Sequence, residues 1–111
     1  MNRDDFMRQW VGVRCPGCGK PVTDVHHVFK RRIKRFEKEL YHECNVAPAC
    51  NSCNCNETQD FQLECALFIF RELERAGYDP PRRVRQWDAQ GPWRVKGLPK
   101  HFYEAERVWD S

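Results

Sequence analysis

Two Cys-x-x-Cys pairs, Cys15/Cys18 in RCPGCGK and Cys50/Cys53 in PACNSCN, enclose a His26-His27 step and Asn45, and Asn54 follows Cys53 directly. Four thiolates in two short knuckles can close a tetrahedron around one zinc ion. Such a site leaves no open position for chemistry. The imidazoles and amides are then surplus to it. One metal is expected to be structural, and a separate nitrogen and oxygen donor set is left for function.

The elements that must carry these donors can be read from pattern. Pro16, Gly17 and Gly19 shape the first knuckle as a tight turn. Val22 to Phe29 reads as a strand, Val-rich and alternating. Neighbouring side chains on a strand face opposite ways, so Asp24 and His26 share one face while Val25 and His27 share the other. Asn45 to Ala49 is a second extended segment, with Pro48 disfavouring a central place in a sheet. The second knuckle should open a helix. Ahead of the knuckles, Asn2 can cap a short helix with Asp4 and Asp5 near its start. Ile33, Phe36 and Leu40 recur at helical spacing, with a basic loop as the alternative. The clearest helix covers about residues 58–76, with Phe61, Cys65, Phe68, Ile69, Leu73 and Ala76 as its apolar stripe. Gly77, Pro80 and Pro81 end it. Lys100 to Trp109 forms a final helix, preceded by a Pro-, Arg- and Trp-rich ordered arm.

The 111 residues bound one domain, divided into a core over residues 1–78 and a basic C-terminal arm over 79–111 packed on it. A chain this short buries a modest core, which a structural metal would reinforce. Seven cysteines are an odd number; four on zinc leave Cys44, Cys55 and Cys65 as reduced thiols, Cys65 in a plain core role. The odd count and paired spacing argue against a secreted disulfide scaffold. The opening MNRDDFMRQW has two acids and no apolar run, so it does not read as a signal peptide. No stretch approaches the roughly 20 apolar residues that span a bilayer, and the expectation is a soluble, cytoplasmic protein with no membrane partner. Net charge is only +3, but it is segregated. Lys30, Arg31, Arg32, Lys34 and Arg35 form one basic run, and Arg82, Arg83 and Arg85 begin another. Such segregation points to a polyanion, nucleic acid first, with solvated basic surfaces as the plain alternative.

The ordered set of Cys-x-x-Cys, His-His on a strand, Asn, then Cys-x-x-Cys-Asn resembles the HNH endonuclease family between about Val13 and Thr58. The family pattern ends in His where this chain has Asn54, nine residues after Asn45, so the chain resembles an HNN variant. The resemblance implies an α+β fold: a small zinc-stapled ββα-metal core, the His-Me finger, treble-clef-like, with flanking helices. It also implies a hydrolase that cuts or nicks DNA, of the kind phages and mobile elements carry in the host cytoplasm, with RNA a further substrate class. By the same resemblance His27 is the general base, for which a neutral imidazole of pKa about 6.5 is suited. His26 and Asn54 would hold a catalytic Mg²⁺ or Mn²⁺, other divalent ions also being candidates. Asn45 would keep His27 aimed. Asn54 has a plainer reading as a helix cap, and His42 reads as a surface residue in preference to a further ligand. Two rivals stand beside the nuclease. One is a zinc-knuckle module that holds DNA or RNA without cutting it. The other is a protein-interaction domain with Trp87, Trp93 and Trp109 as its partner surface.

Overall fold

In a computed structural model, described over residues 3–28, 42–90 and 99–110, a small hairpin and a set of helices pack around one long helix. The order is α1 (Arg3–Gln9), β1 (Asp24–His27), β2 (Val46–Ala49), α2 (Asn51–Asn56), α3 (Gln59–Arg75), α4 (Pro80–Gln90) and α5 (Lys100–Asp110). The fold class is mixed α+β, as expected. The Lys30–Arg35 run and the Ile33–Leu40 helix lie outside the described residues, as does Trp93.

β1 and β2 pair antiparallel, with Asp24 opposite Ala49, Val25 opposite Pro48, His26 opposite Ala47 and His27 opposite Val46. The strands are shorter than the alternation suggested. Pro48 is tolerated because each strand of a two-stranded ladder has an outer edge where a missing N–H costs nothing. On one face Val25 and Val46 pack with Met7 and Trp10 of the N-terminal segment. Acids in the first turn of α1 and Arg8 in its last turn suit the helix dipole. Thr23 joins hairpin to helix: its N–H reaches the Ala49 carbonyl, and its hydroxyl accepts from the Asn51 N–H, each at 3.0 Å.

Helix α3 begins and ends where its sequence says. The Thr58 hydroxyl caps it, accepting from the Phe61 N–H at 3.2 Å. At the far end Gly77 takes φ +93°, and Tyr78 and Gly77 donate to the carbonyls of Leu73 and Glu74. That pair of bonds is a Schellman motif, which needs a residue at ease with positive φ. The buried set is Phe61, Cys65, Ala66, Ile69, Phe70 and Leu73. It corrects the expected stripe: Phe68 is half-buried and Ala76 is exposed, while Phe70 is wholly enclosed. The helix is covered on two sides, by β2 and by α4 with α5, so its apolar face is wider than one stripe.

The described residues of the arm, 79–90 and 99–110, are largely helical. Pro80 ends nothing beyond the Gly77 turn; it is the first residue of α4, where a missing N–H is no loss. Phe70 stacks on Phe102 at 6.0 Å and meets the Trp109 ring edge-on at 5.7 Å. Val84, Trp87, Phe102 and Ala105 join the same buried cluster as α3. Trp87 is buried, so its ring is not part of an exposed partner surface, whereas Trp109 packs half-buried against the core. Among the described residues, no helix is long and apolar enough to cross a membrane.

Candidate functional site

The first knuckle is held by its own backbone: Cys15 N–H donates to Lys20 O, and Gly19, at φ +77°, donates back to Cys15 O, both at 2.9 Å. The second knuckle doubles as the start of a helix, because Cys50 is the N-cap of α2 and its sulfur accepts from the Cys53 N–H. These two turns bring the sulfurs of Cys15, Cys18, Cys50 and Cys53 within 4.8 Å of one another, with Cys18 and Cys50 at 3.5 Å. Sulfurs on a tetrahedral zinc stand about 3.8 Å apart, given bonds of about 2.3 Å. The four cysteines therefore form a group that can hold a structural metal ion such as zinc.

The thiols do not ionise alike. The Cys53 N–H aimed at its sulfur draws Cys50 down to about 7, while burial and the neighbouring thiols push Cys53 up to about 12. One thiolate discourages the next, and a divalent cation among them would reverse that for all four. Of the remaining cysteines, Cys65 is buried in the core as expected. Burial also pushes Cys44 up to about 12, which makes it an unreactive thiol. Cys55 is exposed on α2.

A second group lies one helical step from the cysteines. His26, 1% exposed, projects from β1 towards α2, and its Nδ1 lies 3.2 Å from Asn54 Oδ1. Glu57 Oε1 is 3.7 Å from the same nitrogen. Asn54 caps neither neighbouring helix: Cys50 caps α2 and Thr58 caps α3, and Asn54 sits inside α2. Its side chain is turned to His26 instead. Glu57 was not among the residues singled out from the sequence. It lies three positions after Asn54 but beyond the end of α2, as its left-handed C-cap, so helical spacing alone does not point to it. The backbone of Glu57 enters the left-handed region at φ 46°, where it closes α2 with a bond to Cys53 O.

The separation of His26 Nδ1 and Asn54 Oδ1 is that of an ordinary hydrogen bond, with Nδ1–H donating. It is also close to the roughly 3.0 Å between adjacent donors of an octahedral ion bonded at about 2.1 Å. One imidazole, one amide oxygen and one carboxylate thus lie side by side between β1 and α2. Comparison with protein-family models, with curated proteins and with solved structures gives no match. The functional reading therefore stands on the geometry of these residues.

His27 follows His26 on the opposite strand face, level with Val46 at the end of β1, and is 7% exposed. Asn45 is fully buried just before β2. Its carbonyl accepts from the Val28 N–H at 2.9 Å and its N–H reaches His42 O at 2.8 Å, so its backbone fixes the chain immediately beyond His27. His42 is half-buried: its ring stacks on the buried Trp87 at 5.0 Å, and its Nδ1 accepts from the Cys44 N–H. Of the second basic run, Arg82 is exposed, whereas Arg83 forms an ion pair with Glu43 at 3.0 Å and Arg85 pairs with Glu106. Arg83 and Arg85 also lie over the rings of Tyr78 and Tyr103. Their charge is largely balanced within the protein.

Proposed function

We propose that the chain is a metal-dependent endonuclease that hydrolyses DNA phosphodiester bonds, on a ββα core stapled by zinc at Cys15, Cys18, Cys50 and Cys53. The observation that carries this reading is the meeting of His26 Nδ1 with Asn54 Oδ1 at 3.2 Å, with the Glu57 carboxylate alongside and His27 next in the chain. His26, Asn54 and Glu57 would hold Mg²⁺ or Mn²⁺. Such an ion, when bound, polarises the phosphate and stabilises charge on the leaving oxygen. Few protein ligands leave room for water and phosphate oxygens on the ion. His27 takes the proton from the attacking water as the new P–O bond forms and the old one breaks. Asn45 holds the backbone behind His27 through the Val28 bond.

The Asn54 assignment has a direct test. Asn54→Ala is expected to raise the metal concentration for half-maximal cleavage without loss of the four-cysteine site. If the wild-type and Asn54→Ala curves share a midpoint, the second ligand lies elsewhere.

DNA would be gripped mainly by Lys30, Arg31, Arg32, Lys34 and Arg35, with Arg82 adding to them, since Arg83 and Arg85 are already paired. Such contacts neutralise phosphates and read no bases. Replacing Arg31, Arg32 and Arg35 together by alanine should weaken binding across unrelated sequences. It should also flatten the log-log salt slope by about 2.7, at about 0.9 per phosphate contact. An unchanged slope would return these residues to the solvated surface.

A further inference from the structure

One aromatic ring joins the two groups of donors. Phe61 is the third residue of α3, its N–H fixed by the Thr58 cap. Its side chain is 3% exposed. On one side it meets the His26 ring edge-on, centroids 5.0 Å apart at 71°. On the other it lies against the first knuckle: a Cβ built on Gly17 would fall 2.9 Å from Phe61 Cδ1 and 3.3 Å from the Cys53 sulfur. Gly17 is the residue between Cys15 and Cys18 that lets the ring come so close to the turn.

We propose that Phe61 is the positioning residue for His26: clamped between the Gly17 turn and the imidazole, it holds Nδ1 towards Asn54 and Glu57, and so sets the affinity of that site for a divalent cation. The metal-binding consequence rests on the nuclease reading above, while the positioning of the ring does not. A histidine freed from such a contact samples about three χ1 wells and a two-fold χ2, about six states in all. Apparent affinity scales with the fraction of molecules in the competent state. Removing the clamp should therefore weaken cation binding by up to about sixfold, without changing a single ligand.

The experiment uses the full chain and two readouts, the order parameter of the His26 ring C–H bonds by NMR and Mn²⁺ binding followed by the EPR signal of the free ion. Phe61→Leu keeps most of the apolar volume, and Phe61→Ala removes it. Val84→Ala, a truncation on α4 in the same buried cluster, controls for general loosening of the core. In the wild type the His26 ring should be as ordered as rigid backbone, about 0.85, and in Phe61→Ala it should fall below about 0.6. The Mn²⁺ dissociation constant should rise by up to about sixfold in Phe61→Ala and less in Phe61→Leu, with about one zinc per chain retained. Val84→Ala should leave both readouts at wild-type values. Retained ring order in both Phe61 variants would overturn the proposal, as would an equal loss in Val84→Ala. If wild-type protein bound no Mn²⁺, the nuclease reading would fall, and the ring measurement would still decide the role of Phe61.

Discussion

His27→Ala is expected to lower DNA cleavage by about two to four orders of magnitude, the range over which a positioned general base contributes. That loss is about 2.7–5.4 kcal/mol of barrier, at about 1.36 kcal/mol per decade. Binding should behave differently. His27 is not one of the donors that meet at His26 Nδ1, and it belongs to the other face of β1. DNA affinity and the metal concentration for half-maximal cleavage should therefore stay near wild type while the maximal rate collapses. His26→Ala should lower the rate and also raise the metal concentration needed, because it removes the nitrogen on which Asn54 and Glu57 converge. The split between the two variants assigns the roles. If His27→Ala kept most of its rate with a normal metal requirement, the base would have to be another group.

The second large effect is expected from Cys50→Ser. Cys50 contributes its sulfur to the four-cysteine group and caps α2 as well. A structural zinc contributes about 10–16 kcal/mol of apparent binding energy in small domains, as much as the whole stability of a typical fold, about 5–15 kcal/mol. Purified wild-type protein should carry about one tightly held zinc per chain. Cys50→Ser should lose it, together with most of the helical circular dichroism signal. The hairpin and α2 are tied at the second knuckle, so disorder there should also separate His26 from Asn54. A well-folded Cys50→Ser protein without zinc would show that the cysteines do not staple this fold.

What the sequence showed depended on how local the cause was. The knuckles were legible because Cys-x-x-Cys turns with Pro and Gly are determined within a few residues. The bounds of α3 were legible for the same reason, with Thr58 at one end and Gly77 at the other. Pro80 misled because a proline that cannot continue one helix is well placed to begin the next, and only packing on α3 distinguishes the two. Phe70 and Phe68 exchanged roles because the second covering layer comes from α5, distant in sequence. At the site, His26 and Asn54 could be paired through the resemblance. Glu57 could not, since it sits outside that pattern and is recruited by the way α2 closes. The arginines of α4 read as free charge, but their acids, Glu43 and Glu106, lie 40 and 21 residues away.

The most direct measurement of the central claim is conversion of supercoiled plasmid to nicked or linear DNA by purified, zinc-loaded protein. It would be run with added Mg²⁺ or Mn²⁺ and with EDTA at a level that leaves the zinc in place, beside His27→Ala. The account predicts conversion that requires the added ion, is abolished by EDTA and is reduced at least about a hundredfold in His27→Ala. Plasmid that stays supercoiled with every ion, though bound by the protein in a salt-dependent way, would contradict it and leave a nucleic-acid-binding module that does not cut.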